Sequence, residues 1–335
     1  MLDIKTVKLR NEEEIIASWN DKEKIVVSVI CAAYNHELYI EDAITGFLMQ
    51  ETDFVFEIII HDDASTDKTV SIIKRYQNLY PNIIKPIYQT ENQYSKGGFK
   101  PSVYASTFAK GLYVALCEGD DYWCMKSKLQ KQYEALSNNK NIKLCVHASF
   151  RLYSANRVEI HSLNEKNRSI IPTSKFILGD GGYVATSSLF IRTSAFNNLP
   201  PWFLKEAPVG DYYIQMLTSH PYGAIYLDET MSVYRCNAID NWSSKNLNNN
   251  EAQVRLREKL LKANILCEIE LDDKKLKWSF AKSNLKHYKI FLNLISWHDF
   301  NKVPLIISLF QFKFLAITFN KLTRIILSIA CFRRN

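Results

Sequence analysis

At 335 residues the chain can hold one α/β domain of ordinary size with about a hundred residues to spare, so two unequal parts are expected. Lys and Arg exceed Asp and Glu by 42 to 35, a net charge of +7. No basic cluster interleaved with aromatics supplies a nucleic-acid surface, and seven cysteines, odd in number and without a C-x-x-C pair, read as core thiols of a reducing compartment.

Residues 1–24 are polar and read as an N-terminal arm, with Asn11-Glu12-Glu13-Glu14 opening a short helix. No basic segment runs into an apolar core there, which predicts a cytoplasmic chain. Ile25 to Ala32 is nearly all apolar and β-branched, the pattern of a strand buried on both faces. Ala33-Tyr34-Asn35-His36 turns it into a helix with Ile40, Ile44, Phe47 and Leu48 on one face.

Phe56 to Ile60 is the second strand and ends in His61-Asp62-Asp63-Ala64-Ser65-Thr66-Asp67, whose last residues can cap a helix carrying Val70, Ile73, Tyr76 and Leu79 inward. Strand and helix alternating at this spacing predict a doubly wound, mostly parallel α/β sheet flanked by helices. A third strand is expected near Ile84 to Tyr88, a flexible loop over 89–103, and a helix over 104–111.

Val114-Ala115-Leu116-Cys117 then delivers Glu118-Gly119-Asp120-Asp121-Tyr122-Trp123 at a strand's carboxyl end, where open α/β sheets bind ligands. Two adjacent carboxylates in that place either hold a divalent cation against substrate phosphates or cap the next helix. A helix over 126–137, a strand at 142–146 and another at 183–191 follow, and Asp211 opens a helix after Gly210.

Beyond Ser243 the pattern becomes helical and increasingly apolar. Gln311, Lys313, Asn320, Lys321 and Arg324 interrupt every apolar run before the roughly twenty residues of a membrane span. The excess of Lys and Arg predicts helices lying on an anionic membrane surface, the alternative being helices packed on protein. Expected boundaries are therefore 1–24, 25–243 for a catalytic domain, and 244–335 for a C-terminal helical, partly amphipathic region.

Neither a P-loop nor a G-x-G-x-x-G fingerprint is present. The acids at 62–63, 120–121 and 211 can still divide the work a nucleotide diphosphate requires: a base N–H acceptor, a cation site and a proton acceptor.

Val27-Ser28-Val29-Ile30 with Tyr34-Asn35, then His61 to Asp67, then Glu118 to Trp123, then Gly210-Asp211, in that order, resemble the inverting family 2 glycosyltransferases of GT-A fold over residues 25 to about 240. The resemblance implies transfer of one sugar from a nucleotide-diphosphate donor, a UDP-sugar being favoured, to a glycan or lipid-linked glycan acceptor, assisted by Mn²⁺ or Mg²⁺. By position it implies that Ala32, Ala33, Tyr34 and Asp63 line the nucleoside pocket. Asp120 would face the ribose or sugar, Asp121 would be the main metal ligand with Asp120 beside it, Asp211 would be the general base, and Arg235 would approach the diphosphate.

Two departures stand out. Ala64 occupies the usual glycine of the Asp-Asp-Gly-Ser turn, and Gly210 precedes Asp211 where a Glu-Asp pair is frequent. No Gln-x-x-Arg-Trp signature of processive synthases occurs. The competing readings are a nucleotidyltransferase, which would need a basic glycine-rich loop after the first strand, and a silent nucleotide-binding membrane scaffold. Surface polysaccharide or lipopolysaccharide assembly at the inner face of a membrane is the implied setting; the sequence is silent on oligomeric state.

Overall fold

The fold was obtained as a computed structural model that describes residues 3–154, 157–162, 169–236, 238 and 249–294. In chain order the elements are α1 (Glu12–Ala17), β1 (Asp21–Ala33), α2 (Ile40–Leu48), β2 (Phe54–Asp62), α3 (Thr69–Leu79), β3 (Ile84–Tyr88), α4 (Pro101–Ser106), β4 (Tyr113–Leu116) and β5 (Tyr122–Trp123). They continue with α5 (Lys128–Ser137), β6 (Leu144–Ser154), β7 (Arg157–His161), β8 (Ser169–Ile171), α6 (Thr173–Gly179), β9 (Phe190–Arg192), α7 (Thr193–Asn197), α8 (Pro201–Glu206), α9 (Gly210–Ser219) and β10 (Ala224–Arg235). The last two described helices are α10 (Asn250–Leu271) and α11 (Lys277–Leu294).

One sheet runs in the order β3-β2-β1-β4-β9-β6-β10-β5, with β7 added to β6 and β8 to β10. β3, β2, β1 and β4 are mutually parallel, as are β6 and β10, while β9 lies antiparallel between β4 and β6. This is the expected mostly parallel α/β sheet, with one difference. The strand expected over 183–191 is three residues long at Phe190–Arg192, preceded by a 3₁₀ turn at Thr186–Ser188.

Alternate side chains of the central strands feed two cores, as the period of two demands. Val27, Val29, Cys31, Ile58, Ile60 and Ala115 pack with α2, α3 and α5, whereas Ile30, Ile59, Val114 and Leu116 pack on the opposite face with α6 to α10. Ile15 and Trp19 are buried in the first core, so the N-terminal arm packs on the sheet. Its helix starts from a reciprocal cap, Asn11 Oδ1 accepting from Glu14 N and Glu14 Oε2 from Asn11 N, both at 2.8 Å.

Helices α10 and α11 pack against α6, α8 and α9 and bury Leu256, Leu260, Cys267 and Phe280 in the second core. Tyr213 of α9 donates its hydroxyl to Asn264 Oδ1 of α10 at 2.9 Å. No helix among the described residues is long and apolar enough to cross a membrane. The basic apolar tail and the region around Trp242 lie outside the described residues.

Candidate active site

The carboxyl ends of β1 and β4 meet the N-terminus of α9 around a cavity of about 620 Å³. Its lining includes Ala32, Glu118, Asp120 and Asp211, and from other parts of the chain Tyr94, Lys100, Arg151, Asp180, Thr186 and Arg257. The topology explains the meeting: β1 and β4 are parallel neighbours, so their turns emerge side by side. Gly119 N donates to Ala32 O at 2.8 Å and locks the acidic turn to the end of β1. A Cβ on Gly119 would lie 2.7 Å from His36 Nδ1 and 3.3 Å from Ala32 O, so only glycine fits this approach.

The acidic turn is held from the other side by β10. Arg235 N donates to Asp121 Oδ1 at 2.9 Å, and its guanidinium reaches Asp120 O at 2.7 Å and Asp42 Oδ2. The same guanidinium lies over the Tyr39 and Tyr122 rings, 5.1 and 4.6 Å from their centroids. Arg235 is thus engaged in supporting the turn and lies outside the cavity lining.

Asp121 is 1% exposed and also does not line the cavity. Its Oδ2 is buried without a partner among the described residues. Burial, and then the Asp120 charge, push its carboxyl well above the usual carboxylate range. Glu118 is exposed to the open cavity, and desolvation by its walls, followed by the charges of Asp120 and Asp211, pushes its carboxyl up. Such crowding of acids with an orphaned oxygen fits a divalent cation, whose charge would oppose both shifts. Among the described residues no three His, Cys, Asp or Glu side chains form a complete metal cage. A cation carried by Asp120 and Asp121 would therefore draw its other ligands from substrate or water.

Asp211 sits in the first turn of α9 and accepts from Thr186 Oγ1 at 3.4 Å, a long contact. Burial pushes its carboxyl up to about 6, against the opposing effects of the Tyr212 and Thr186 hydrogen bonds and the Lys100 charge. A partly desolvated carboxylate in a cavity with its pKa near neutrality is the equipment of a proton acceptor.

The four residues expected at the nucleoside differ in their surroundings. Ala32 lines the cavity, Ala33 is buried in the sheet opposite Asp62, and Tyr34 is 41% exposed outside the cavity lining. Asp63 is 2% exposed, and its two oxygens accept from Gln93 N at 2.9 Å and Tyr94 N at 3.0 Å. It shapes the loop that brings Tyr94 to the cavity.

Asp62 Oδ2 accepts from Ser65 N at 3.0 Å, and Ala64 takes φ +62°, the left-handed conformation a glycine adopts freely. Asn35 Oδ1 accepts from Thr66 N at 2.8 Å and Asp67 Oδ2 from Glu37 N at 2.9 Å, so the two turns brace one another. His36 is partly buried rather than an exposed helix-start residue, and its Nδ1 has no described partner. Trp123 is fully buried, its indole N–H donating to Ser187 O at 3.0 Å.

Sequence reasoning did not single out Lys100, Arg151, Thr186 or Arg257. Lys100 belongs to the Gly97-Gly98-Phe99-Lys100 loop and Thr186 to the turn before β9, where no periodicity marks function. Asp180 and Gly181, both in the left-handed conformation, form part of the cavity wall.

The glycosyl transferase family 2 model matches residues 28–199. The Mycobacterium tuberculosis protein Rv1520 is 33% identical over 220 residues, 65% of this chain and 61% of that protein, so the chain spans less than two thirds of that relative's length. The Escherichia coli UDP-Glc:alpha-D-GlcNAc-diphosphoundecaprenol beta-1,3-glucosyltransferase WfaP is 36% identical over 115 residues, 34% of this chain and 43% of that one. The crystal structure of Staphylococcus aureus TarS 1-349 in complex with UDP superposes with a TM-score of 0.55 at 18% identity, covering 82% of this chain and 72% of that one. At that identity the likeness shows the fold, which is GT-A.

Proposed function

Because the chain belongs to glycosyl transferase family 2, we propose that it transfers one sugar from a nucleotide-diphosphate donor to an acceptor hydroxyl with inversion at the sugar carbon. The observation that carries this reading is the sharing of one cavity of about 620 Å³ by Ala32, the Glu118–Asp120 turn and Asp211. A UDP-sugar is the favoured donor, since UDP stands in the names of WfaP and of the TarS complex. A glycan or lipid-linked glycan of surface polysaccharide assembly is the favoured acceptor, in keeping with the acceptor in WfaP's name.

In this reading Asp120 and Asp121 hold Mn²⁺ or Mg²⁺. The cation, when bound, neutralises the charge that develops on the departing nucleotide diphosphate. Asp120 reaches the donor from the cavity wall, and Arg235 fixes the Asp121 carboxylate through Oδ1 and the backbone of the turn through the Asp120 carbonyl. Asp211 accepts the proton of the attacking hydroxyl on its carboxylate, with Thr186 and Lys100 alongside. One displacement at the sugar carbon, opposite the leaving diphosphate, inverts its configuration. The basic apolar stretch over 295–335 serves as a contact to an anionic membrane surface in this reading, on the strength of its sequence alone.

Calorimetric titration with UDP, GDP, CDP and dTDP, each with and without Mn²⁺, tests the donor half. Cation-dependent binding of UDP is expected. A folded protein that binds none of the four would overturn the reading and favour a silent scaffold.

A further inference from the structure

The cavity carries positive charge that the donor chemistry above leaves unused. Arg257 reaches it from α10 and Arg151 from β6, 106 positions apart in sequence. Neither makes an ion pair among the described residues, unlike Arg235, which is paired with Asp42. Arg257 Nη1 lies 3.1 Å from His287 Nδ1 and Nη2 donates to Gln253 Oε1 at 3.3 Å, while its Nε is buried without a described partner. Arg151 Nη2 donates to Gly182 O at 3.1 Å and lies 3.3 Å from His161 Nε2.

The cavity-wall carboxylate of Asp180 is already engaged by other cationic partners and makes no ion pair with Arg257. Asp180 Oδ1 lies 2.9 Å from His287 Nε2 and Asp180 Oδ2 2.9 Å from Lys286 Nζ, and these partners hold its carboxyl below the usual range despite burial. His287 is fully buried between the two, with Nε2 toward Asp180 and Nδ1 toward Arg257. The Nδ1 contact of the buried imidazole holds the arginine in the cavity wall without placing a carboxylate on it. Packed arginines that face the cavity and make no ion pair with its carboxylates among the described residues are suited to a phosphate, whose oxygens match the guanidinium fork.

Resting on the transfer reading above, we infer that α10 supplies an acceptor-side phosphate subsite. Arg257, assisted by Arg151, holds a phosphate carried by the acceptor whose hydroxyl is presented to Asp211. Helix α10 packs on α9, the helix that Asp211 opens, so Arg257 enters the cavity from the side of the proton acceptor. Helices α10 and α11 then act in substrate selection as well as in packing.

Titration of the full chain with sodium pyrophosphate in EDTA, where Asp120 and Asp121 hold no cation, tests the subsite without any transfer. Arg257→Gln is expected to weaken binding about tenfold or more, Arg257→Lys to retain part of it, and Asp120→Asn not to weaken it. No binding by the unaltered protein, or equal binding by Arg257→Gln with an unchanged melting temperature, would overturn the proposal. If Arg257→Gln does not fold, Arg151→Gln replaces it under the same criteria.

Farnesyl diphosphate and bis-glycerol phosphodiester as competitors separate a lipid diphosphate from a polymer phosphodiester as the source; displacement by either supports the subsite, and displacement by neither counts against it. In transfer assays on a phosphate-bearing acceptor, Arg257→Gln should raise acceptor KM about tenfold or more with donor KM unchanged. A raised donor KM instead would assign the arginine to the donor diphosphate. Failure of the transfer reading is visible separately, as loss of all cation-dependent nucleotide binding.

Discussion

Arg235 donates its backbone N–H to Asp121 Oδ1 at 2.9 Å, joining the last residue of β10 to the acidic turn after β4 across 114 positions of sequence. The same residue pairs with Asp42, and both side chains are less than one-sixth exposed, at 12% and 14%. Removing one member of so sheltered a pair leaves the other charge uncompensated.

Arg235→Ala is expected to cost about 3 kcal/mol of stability, the scale for breaking a largely buried ion pair. It should also loosen the turn through loss of the Asp120 carbonyl contact. Cation-dependent nucleotide affinity should fall, and adding Asp42→Asn should recover part of the stability without restoring the affinity. Thermal unfolding and calorimetry on the two variants check this; an unchanged melting temperature in Arg235→Ala would refute the clamp.

Asp211 gives a pH prediction of definite sign. Its folded carboxyl is raised to about 6, so it takes up the acceptor proton above that pH and is already protonated below it. kcat/KM should fall about tenfold per unit below pH 6 and level off above it. Asp211→Asn should lose about 10²- to 10⁴-fold in transfer while keeping nucleotide binding.

The same shift has a stability consequence. A carboxyl raised in the folded state favours the native protein only while protonated, and that contribution is lost as pH climbs from about 4, the ordinary value, to about 6. Without ligand at neutral pH, Asp211→Asn should therefore be more stable than the unaltered chain. The gain is at most about 3 kcal/mol and is reduced by the water the carboxyl meets in the cavity. It should vanish below about pH 4. Denaturant titrations at pH 4 and 7 measure it.

Lys128 is fully buried, 3.9 Å from the Trp123 ring centroid, with Nζ donating to Gln132 Oε1 at 2.7 Å. Burial pushes its ammonium down to about 7. The unfolded chain keeps the ordinary higher value, so the native state binds this proton less tightly and gains stability as pH rises from about 7 toward 10. Lys128→Met, similar in shape and without charge, should stabilise the protein by about 1–3 kcal/mol at pH 7, with the difference narrowing by pH 9. Equal stabilities at both pH values would mean that the amine is satisfied where it lies.

The legible parts of this molecule are those whose physics is local. β1 and β2 announce themselves because strands buried on both faces need uninterrupted apolar runs, and the acidic turn is visible because it ends such a run. β9 is three residues long and joins β4 to β6 only through tertiary pairing, so it carries no local periodicity. The role of Asp63 was hidden for a related reason, since its acceptors' partners are backbone N–H groups of Gln93 and Tyr94 in a loop without pattern. Ala64 was recognisable as a departure, but only the structure reveals that it keeps the glycine-like φ of +62° and pays for it in backbone strain. Arg257 lies on a helix of mixed charge that reads as solvated surface, and its placement depends on where α10 docks.

Asp121 combines a functional demand with a structural cost, and the two can be separated. Its carboxyl is buried, raised well above the ordinary range, and has one oxygen without a described partner. In the absence of a cation the folded state therefore prefers this group protonated, and its deprotonation with rising pH opposes folding. Asp121→Asn keeps an oxygen to accept from Arg235 N, removes the titration, and leaves the cation one carboxylate short. The variant should melt no lower than the unaltered chain in EDTA at neutral pH, yet lose cation-dependent nucleotide binding about tenfold or more. Mn²⁺ with UDP should raise the melting temperature of the unaltered chain and leave that of Asp121→Asn nearly still. A variant that melts far below the unaltered chain in EDTA would show that the carboxylate serves the fold first; one that keeps full Mn²⁺-dependent UDP binding would leave Asp120 as the sufficient ligand.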